Sequence, residues 1–473
     1  MLCERRSRCL AKKESTRTLH KRSRRRATAE STDPIAERSD FCVVGIGASA
    51  GGLDALERFF RRCPADLGMA LVLLQHLDPV HQSLLTEIIQ RSTDMPVVEA
   101  LDQVRVEPNH VYVIPPNREI EIKGGMLHLS VPNLPRGQRM PIDSFLRSLA
   151  VDLADRSIGV ILSGSGTDGT LGLRAIHGAG GICLVQEPST AKFAGMPQSA
   201  ISAGYATHIV PVEAMPDILR SWTHQPFLPR TLHPTVPVDS ARDLNSVSSL
   251  NQILLQVRSA TGHDFSLYKK STILRRIIRR MEQLHIADLT AYSQYLTTHS
   301  AEVVLLFKEL LINVTSFFRD PEAFLALQQT ILPSLLEHKP DHYVFRVWVA
   351  GCATGEEAYS IAILLQELLD ERLDQQRVDF SFQIFATDLD EDAITVARAG
   401  SYPPNIAQDV TPNRLRRFFV QDDAGYRVKK GIREKVIFAV QNVIKDPPFT
   451  KLDLLSFRNV MIYLEPELQS RLI

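Results

Sequence analysis

Twice in this chain a short apolar run ends in a glycine-containing turn and passes straight into a helical pattern: FCVVGIGASAGG at 41–52 and RVWVAGCATGEEAYSIA at 346–362. A strand that feeds a helix through glycine must be followed by another crossover, because parallel strands pair only when a helix returns the chain to the same edge. Each turn therefore predicts an α/β unit with a parallel sheet covered on both faces, and a site at the carboxyl ends of its strands.

The rest of the chain sorts around these two turns. MALVLLQHLDP (69–79), HVYVIPP (110–116), SIGVILSG (157–164) and GGICLVQE (180–187) read as further strands of the first unit, with a hairpin at EIEIKGGMLHLSV turning on Gly124 and Gly125. We assign 41–222 to a doubly wound parallel-sheet domain. Residues 223–247, with Pro226, Pro229, Pro234 and Pro237, read as a stiff linker. From 248 to 330 the periodicity is helical throughout, predicting a small helical subdomain. Strand patterns return at YVFRVWVAGC, SFQIFATDLD, KVIFAVQNV and LDLLSFRNVMIY, so 331–473 reads as a Rossmann-like unit. Its last segment, ELQSRLI, is helix-like, and the domain is expected to be incomplete at Ile473.

Composition excludes several classes. The charge balance is zero, with 54 basic and 54 acidic residues, so no global field draws the chain to nucleic acid or anionic lipid. No run of about 18 apolar residues predicts a membrane-spanning helix. Six cysteines without a CxxC pair argue against a disulfide framework or a structural zinc site and suit a reducing cytoplasm. Residues 1–40, with RSRRR at 22–26, lack the apolar core of a secretory signal and read as a disordered basic leader.

Gly47, Ser49 and Gly51 spell GxSxG on a strand-to-helix turn, which exposes a serine hydroxyl beside backbone N–H groups suited to a developing oxyanion. Serine needs a base to take its proton, a contribution of about 10² to 10⁴ in rate. His76 ends the next predicted strand, and Asp168 in SGSGTDGTLG follows another, so both reach the same edge. The chain order Ser, His, Asp differs from that of α/β-hydrolases, predicting another fold with convergent chemistry. Taken singly, the turn also reads as a phosphate loop and Asp168 as a turn residue or cap. In the second unit Asp388 closes the strand after the glycine turn, where an acid accepts the ribose hydroxyls of a nucleoside. The dinucleotide fingerprint GxGxxG is missing, and S-adenosylmethionine fits better than NAD.

Four ordered motifs, GIGASAGG, LLQHLDP, GSGTDGTLG and QEPSTAKFAGMPQSA, resemble the catalytic domain of the chemotaxis receptor methylesterases, the CheB family. That resemblance implies a Ser49, His76, Asp168 triad acting on glutamate methyl esters of receptor helices. It departs in SGSG, where the family often has SGMG, and in the lack of a receiver domain upstream. Residues 248–473 resemble the receptor methyltransferases, the CheR family, through NVTSFFRD, AGCATGEEAYS, ATDLD, QNV and FRNVMIYL. The resemblance implies S-adenosylmethionine contacts from Asn313, Thr315, Arg319, Glu356, Asp388, Asn442, Val443, Arg458 and Asn459. Phe457 stands where the family often has cysteine. It also favours docking of Arg275, Arg276, Arg279 and Arg280, in KKSTILRRIIRRM, to acidic receptor helices; the plain alternative is a solvated helix face. Asp446–Phe449 spell DPPF, a motif of DNA methyltransferases, but precede the strand that such a motif would end. The combined expectation is a bifunctional enzyme that hydrolyses and forms glutamyl methyl esters on chemoreceptors, without nucleic acid or membrane insertion. The competing class is a non-catalytic sensory scaffold that keeps both folds.

Overall fold

A computed structural model describes residues 41–75, 84–132, 139–223, 241–337, 339–340, 342–374, 380–422 and 425–472. Seven strands form the first sheet, in the spatial order His208–Val210, Ile182–Gln186, Ser157–Ile161, Val43–Ala48, Ala70–Gln75, Val111–Val113, Val97–Glu99. All pair in parallel. Its strands are apolar on both faces because both faces are covered. Val44, Ile46, Leu71 and Leu73 pack toward the helix Gly52–Phe60, while Val43, Ala70, Val72 and Leu74 pack toward the helices Pro141–Leu153 and Thr170–Ala179. The chain leaves Val43–Ala48 in one direction, to Ala70–Gln75, and returns on its other side through Ser157–Ile161. The gap between those strands is the topological switch point, where crevices open in such sheets. The hairpin forms as read, with Glu119–Lys123 antiparallel to Met126–Ser130 and Gly124 and Gly125 both at positive φ.

The helical region holds helices Ala241–Thr261, Lys270–Gln283, Leu289–Thr298 and Ser300–Leu310 around Ile253, Phe265, Ile277, Tyr292 and Leu306. The first of them begins at Ala241, inside the stretch 223–247 read as linker: the prolines stop at 237, so nothing beyond them opposes a helix. The second sheet is also parallel, in the order Val436–Val440, Phe380–Asp388, Tyr343–Ala350, Leu454–Ser456. A small antiparallel sheet of Ser401–Tyr402, Gly425–Val428 and Phe419–Asp422 was not foreseen, since strands of two to four residues carry too little alternation to read.

Both sheets belong to one compact unit, Ser39–Ile473, and the seam between them corrects the reading of the basic helix. Arg276 and Arg279 are buried, not presented to a partner. Arg276 donates to the Gly178 carbonyl at 3.0 Å, and Arg279 to the carbonyls of His177 at 3.3 Å and Gly181 at 2.8 Å. The His177 and Gly178 carbonyls belong to the last turn of the helix Thr170–Ala179, which lacks intrahelical donors and favours cations, and Gly181 follows its cap. Glu309 accepts from Arg279 at 2.9 Å. Burial pushes the Glu309 carboxyl up, but the His177 hydrogen bond and the Arg279 charge outweigh it and hold it at about 2. Arg275 pairs with Asp155 at 3.1 Å and Arg280 with Glu302 at 2.6 Å, so all four arginines bind within the chain. Among the described residues no helix is long and apolar enough to cross a membrane.

Candidate active sites

Ser49 directly follows the strand Val43–Ala48 and is half-buried at its carboxyl end. The turn is fastened to the neighbouring strand. Ser49 N–H donates to the Ser163 carbonyl at 3.0 Å, and the Ser163 hydroxyl donates to the Ala50 carbonyl at 2.9 Å. Gly51 takes φ +71°, and a Cβ there would lie 2.9 Å from the Lys192 side chain and 3.0 Å from Phe193, so the sharp entry into the helix needs glycine. Asp168 lies in the loop after Ser157–Ile161, the strand adjacent to that of Ser49, and is 2 % exposed. Its carboxylate accepts from the backbone N–H groups of Asp143 at 2.9 Å and Ile142 at 3.2 Å. These belong to the first turn of Pro141–Leu153, where N–H groups lack intrahelical acceptors, so Asp168 caps that helix from a distance. Strand Ala70–Gln75 ends with Gln75 opposite Ala48; His76, the next residue, lies outside the described residues.

A second carboxylate sits beside Asp168, one that the sequence did not single out. Asp143 is fully buried and accepts from Gly172 N–H at 2.6 Å. Burial, and then the charge of Asp168, push its carboxyl up to about 7. Its only sequence signal was an acid in a helical first turn after proline, which reads as ordinary capping.

The second site is a cleft at the carboxyl ends of Tyr343–Ala350, Phe380–Asp388 and Leu454–Ser456, again at a switch in strand order. Asn313, Gly351, Asp388, Gln441, Asn442, Val443, Phe457, Asn459 and Tyr463 line it, with His263 and Tyr268 reaching over from the helical region. Asp388 accepts from Ala353 N–H at 2.8 Å and Asp390 N–H at 3.0 Å; burial is the largest influence on its carboxyl, which is raised above the usual range. Asn442 donates from its side-chain amide to His263 Nδ1 at 3.0 Å, leaving Nε2–H to donate to Tyr268 Oη at 3.1 Å. Burial, then the Lys445 charge, pull the His263 imidazole down to about 4, so it stays neutral. Gln441 Oε1 and Asn459 Oδ1 are buried without a hydrogen-bond partner among the described residues. Two orphaned acceptors and a carboxylate in one cleft call for a ligand rich in N–H and O–H donors.

Four of the residues implied for cofactor contact also bond elsewhere in the chain. Glu356, 2 % exposed, accepts from Arg174 of the first sheet's domain at 2.9 Å and from the Thr354 hydroxyl at 2.6 Å. The Thr315 carbonyl accepts from the same guanidinium. Arg319 donates to the Val314 carbonyl at 2.7 Å, and Arg458 donates to Asp320 at 2.7 Å.

Known proteins resemble each part. A family model described as CheB methylesterase matches residues 44–219. One described as CheR methyltransferase, all-alpha domain, matches 248–311, and one described as CheR methyltransferase, SAM binding domain, matches 313–473. The "Uncharacterized 104.1 kDa protein in hypE 3'region" of Rhodobacter capsulatus is 37% identical over 403 residues, which cover 82% of this chain and 42% of that protein. The chain thus spans less than half the length of this relative. A chemotaxis protein methyltransferase of Borreliella burgdorferi is 31% identical over 232 residues, 47% of this chain and 80% of the relative. A putative protein-glutamate methylesterase/protein-glutamine glutaminase of Leptospira interrogans is 31% identical over 177 residues, 37% of this chain and 92% of the relative.

Proposed function

The chain belongs to the CheB methylesterase family through residues 44–219 and to the CheR methyltransferase family through 248–311 and 313–473, and from this we propose that it both removes methyl groups from chemoreceptor glutamates and adds them. The observation that carries the reading is that each family's glycine turn stands at the switch point of its own parallel sheet, with an acid one strand away: Asp168 beside Ser49, Asp388 beside Gly351.

In the esterase half, Ser49 Oγ adds to the ester carbonyl as His76 takes its proton. His76 returns that proton to the departing methoxide, which leaves as methanol, and water cleaves the acyl-serine by the same route. Asp168, anchored by two backbone N–H groups, orients the imidazole. In the transferase half, Asp388, Gln441 and Asn459 would hold S-adenosylmethionine, the first offering a carboxylate to its hydroxyls and the other two acceptors to its nitrogen donors. Asn313, Asn442 and Val443 complete the wall, while Thr315, Arg319, Glu356 and Arg458 support the loops behind it. When bound, the cofactor supplies an electrophilic methyl group. A glutamate side chain, with an ordinary pKa near 4.3, is already ionised at neutral pH and needs no base. Alignment alone is worth about 7 to 11 kcal/mol. Burial pushes the thiols of Cys42, Cys63 and Cys183 up to about 12, which keeps them inert. The partners are the cytoplasmic helices of methyl-accepting receptors.

Incubation with labelled S-adenosylmethionine and receptor membranes tests both halves: label should enter the receptor, and methanol should then be released. Ser49→Ala keeps the first and loses the second. Equal methanol from the variant sinks the triad, and absence of both signals in the wild type leaves the scaffold reading.

A further inference from the structure

One short segment of the transferase half grips the esterase half where Asp168 is held. In the 3₁₀ helix Pro404–Gln408, Asn405 is fully buried. Its side-chain amide donates to the Asp143 carboxylate and, at 3.0 Å, to the Thr167 carbonyl; its oxygen accepts from the Thr167 hydroxyl at 2.8 Å. Gln408 donates to the carbonyl of Met140, the residue before helix Pro141–Leu153, at 3.0 Å. Asp409 pairs with Arg147 at 2.6 and 3.2 Å. Thr167 precedes Asp168, and Asp143 gives Asp168 one of its two backbone donors. Asn405 is thus bonded to the residue before Asp168 and to the residue that supplies one of its backbone donors.

We propose that Asn405, from the transferase half, is a positioning residue for ester hydrolysis: it fixes the Asp168 loop through Thr167 and Asp143, so that one activity requires the other half of the chain. This rests on the reading that Asp168 serves hydrolysis. Two buried carboxylates side by side repel, and an uncompensated one would turn away or draw in water. The Asn405 amide satisfies Asp143 without adding charge and leaves the backbone N–H groups for Asp168. A loop held at both ends keeps its carboxylate aimed, and misplacement of such a group by about 1 Å costs on the order of a hundredfold in rate.

Hydrogen exchange read by mass spectrometry on the full chain tests the placement independently of activity. In Asn405→Ala, exchange across 164–173 should quicken by about tenfold or more, while Arg275→Ala, which breaks the more exposed Arg275–Asp155 pair of the same seam, leaves that stretch at the wild-type rate. The kcat for methanol release should fall about ten- to a hundredfold in Asn405→Ala with KM unchanged, and stay within about twofold in Arg275→Ala. Wild-type exchange in Asn405→Ala, or equal loosening and equal loss of kcat in both variants, overturns the proposal. Should Asn405→Ala unfold globally, seen as fast exchange in strand Tyr343–Ala350, Thr167→Val carries the same test from the esterase side. A wild type that exchanges as described but releases no methanol fails the hydrolytic reading alone.

Discussion

The turns at Ser49 and Gly351 begin alike, each bending a parallel strand into a helix through a residue-poor corner, and end differently. Around Ser49 the structure spends buried charge: Asp168 and Asp143 stand together, held by helix N–H groups and by Asn405. Around Gly351 it leaves acceptors open, with Gln441 Oε1 and Asn459 Oδ1 unpartnered and a neutral His263 behind Asn442. The proposed hydrolysis must move a proton between side chains, which suits groups fixed in advance. The proposed methyl transfer to an ionised acceptor asks only for holding, which suits a wall left for a ligand to complete.

The sharpest test of this contrast is Ser49→Ala, which should lower methanol release by about 10⁴-fold or more while the affinity for S-adenosylmethionine, measured by calorimetry, is unchanged. Loss of cofactor binding in that variant would mean that the sites are not separate in kind. Next, Arg174→Ala leaves the Glu356 carboxylate buried without its partner, and breaking such a pair costs about 3 to 5 kcal/mol. Chemical denaturation should show that loss in a single transition for the whole chain; two transitions, with only one moved, would mean the halves unfold apart. Asp388→Asn should weaken S-adenosylmethionine binding by about tenfold or more, the worth of hydrogen bonds to a charged acceptor, and leave ester hydrolysis untouched.

The smallest effects are in pH, and the two sites should pull in opposite directions. The folded His263 is held at about 4, below its ordinary 6.5, so its contribution to stability is full above pH 6.5 and is lost as pH falls toward 4. Asp143 is raised from 3.8 to about 7, so the folded state binds the extra proton and stability declines as pH rises between those values. In unfolding curves taken from pH 4 to 7.5, His263→Gln should flatten the acid-side loss and Asp143→Asn should remove the decline toward neutrality. If neither variant changes its own limb, the difference in electrostatic design between the sites is wrong.

Much of the fold was legible because it is local. The glycine turns, the doubly apolar strands and the Gly124–Gly125 hairpin are written in stretches of five to a dozen residues. So were the positions of Ser49 and Asp388 at strand ends and of Asp168 in the loop after one. The seam was not legible. Arg147 and Asp409 are 262 positions apart, and Arg174 and Glu356 are 182 apart, so no periodicity joins them. The basic helix misled for the same reason: a row of arginines looks the same whether it meets water, a partner or the exposed carbonyls of a helix end. The helix starting at Ala241 was hidden by the prolines before it, and Glu356 carried a cofactor motif while its charge was already engaged by Arg174.

Gly178 sits on the seam between the halves, and a Cβ there would fall 1.7 Å from Val314 Cγ2. Only a hydrogen fits at that spot, so the halves are packed there without a gap. On the proposed reading, one polypeptide carries both the writer and the eraser of a chemical mark, so this chain delivers the two one to one. Within it, the balance between them is then set by how fast each works.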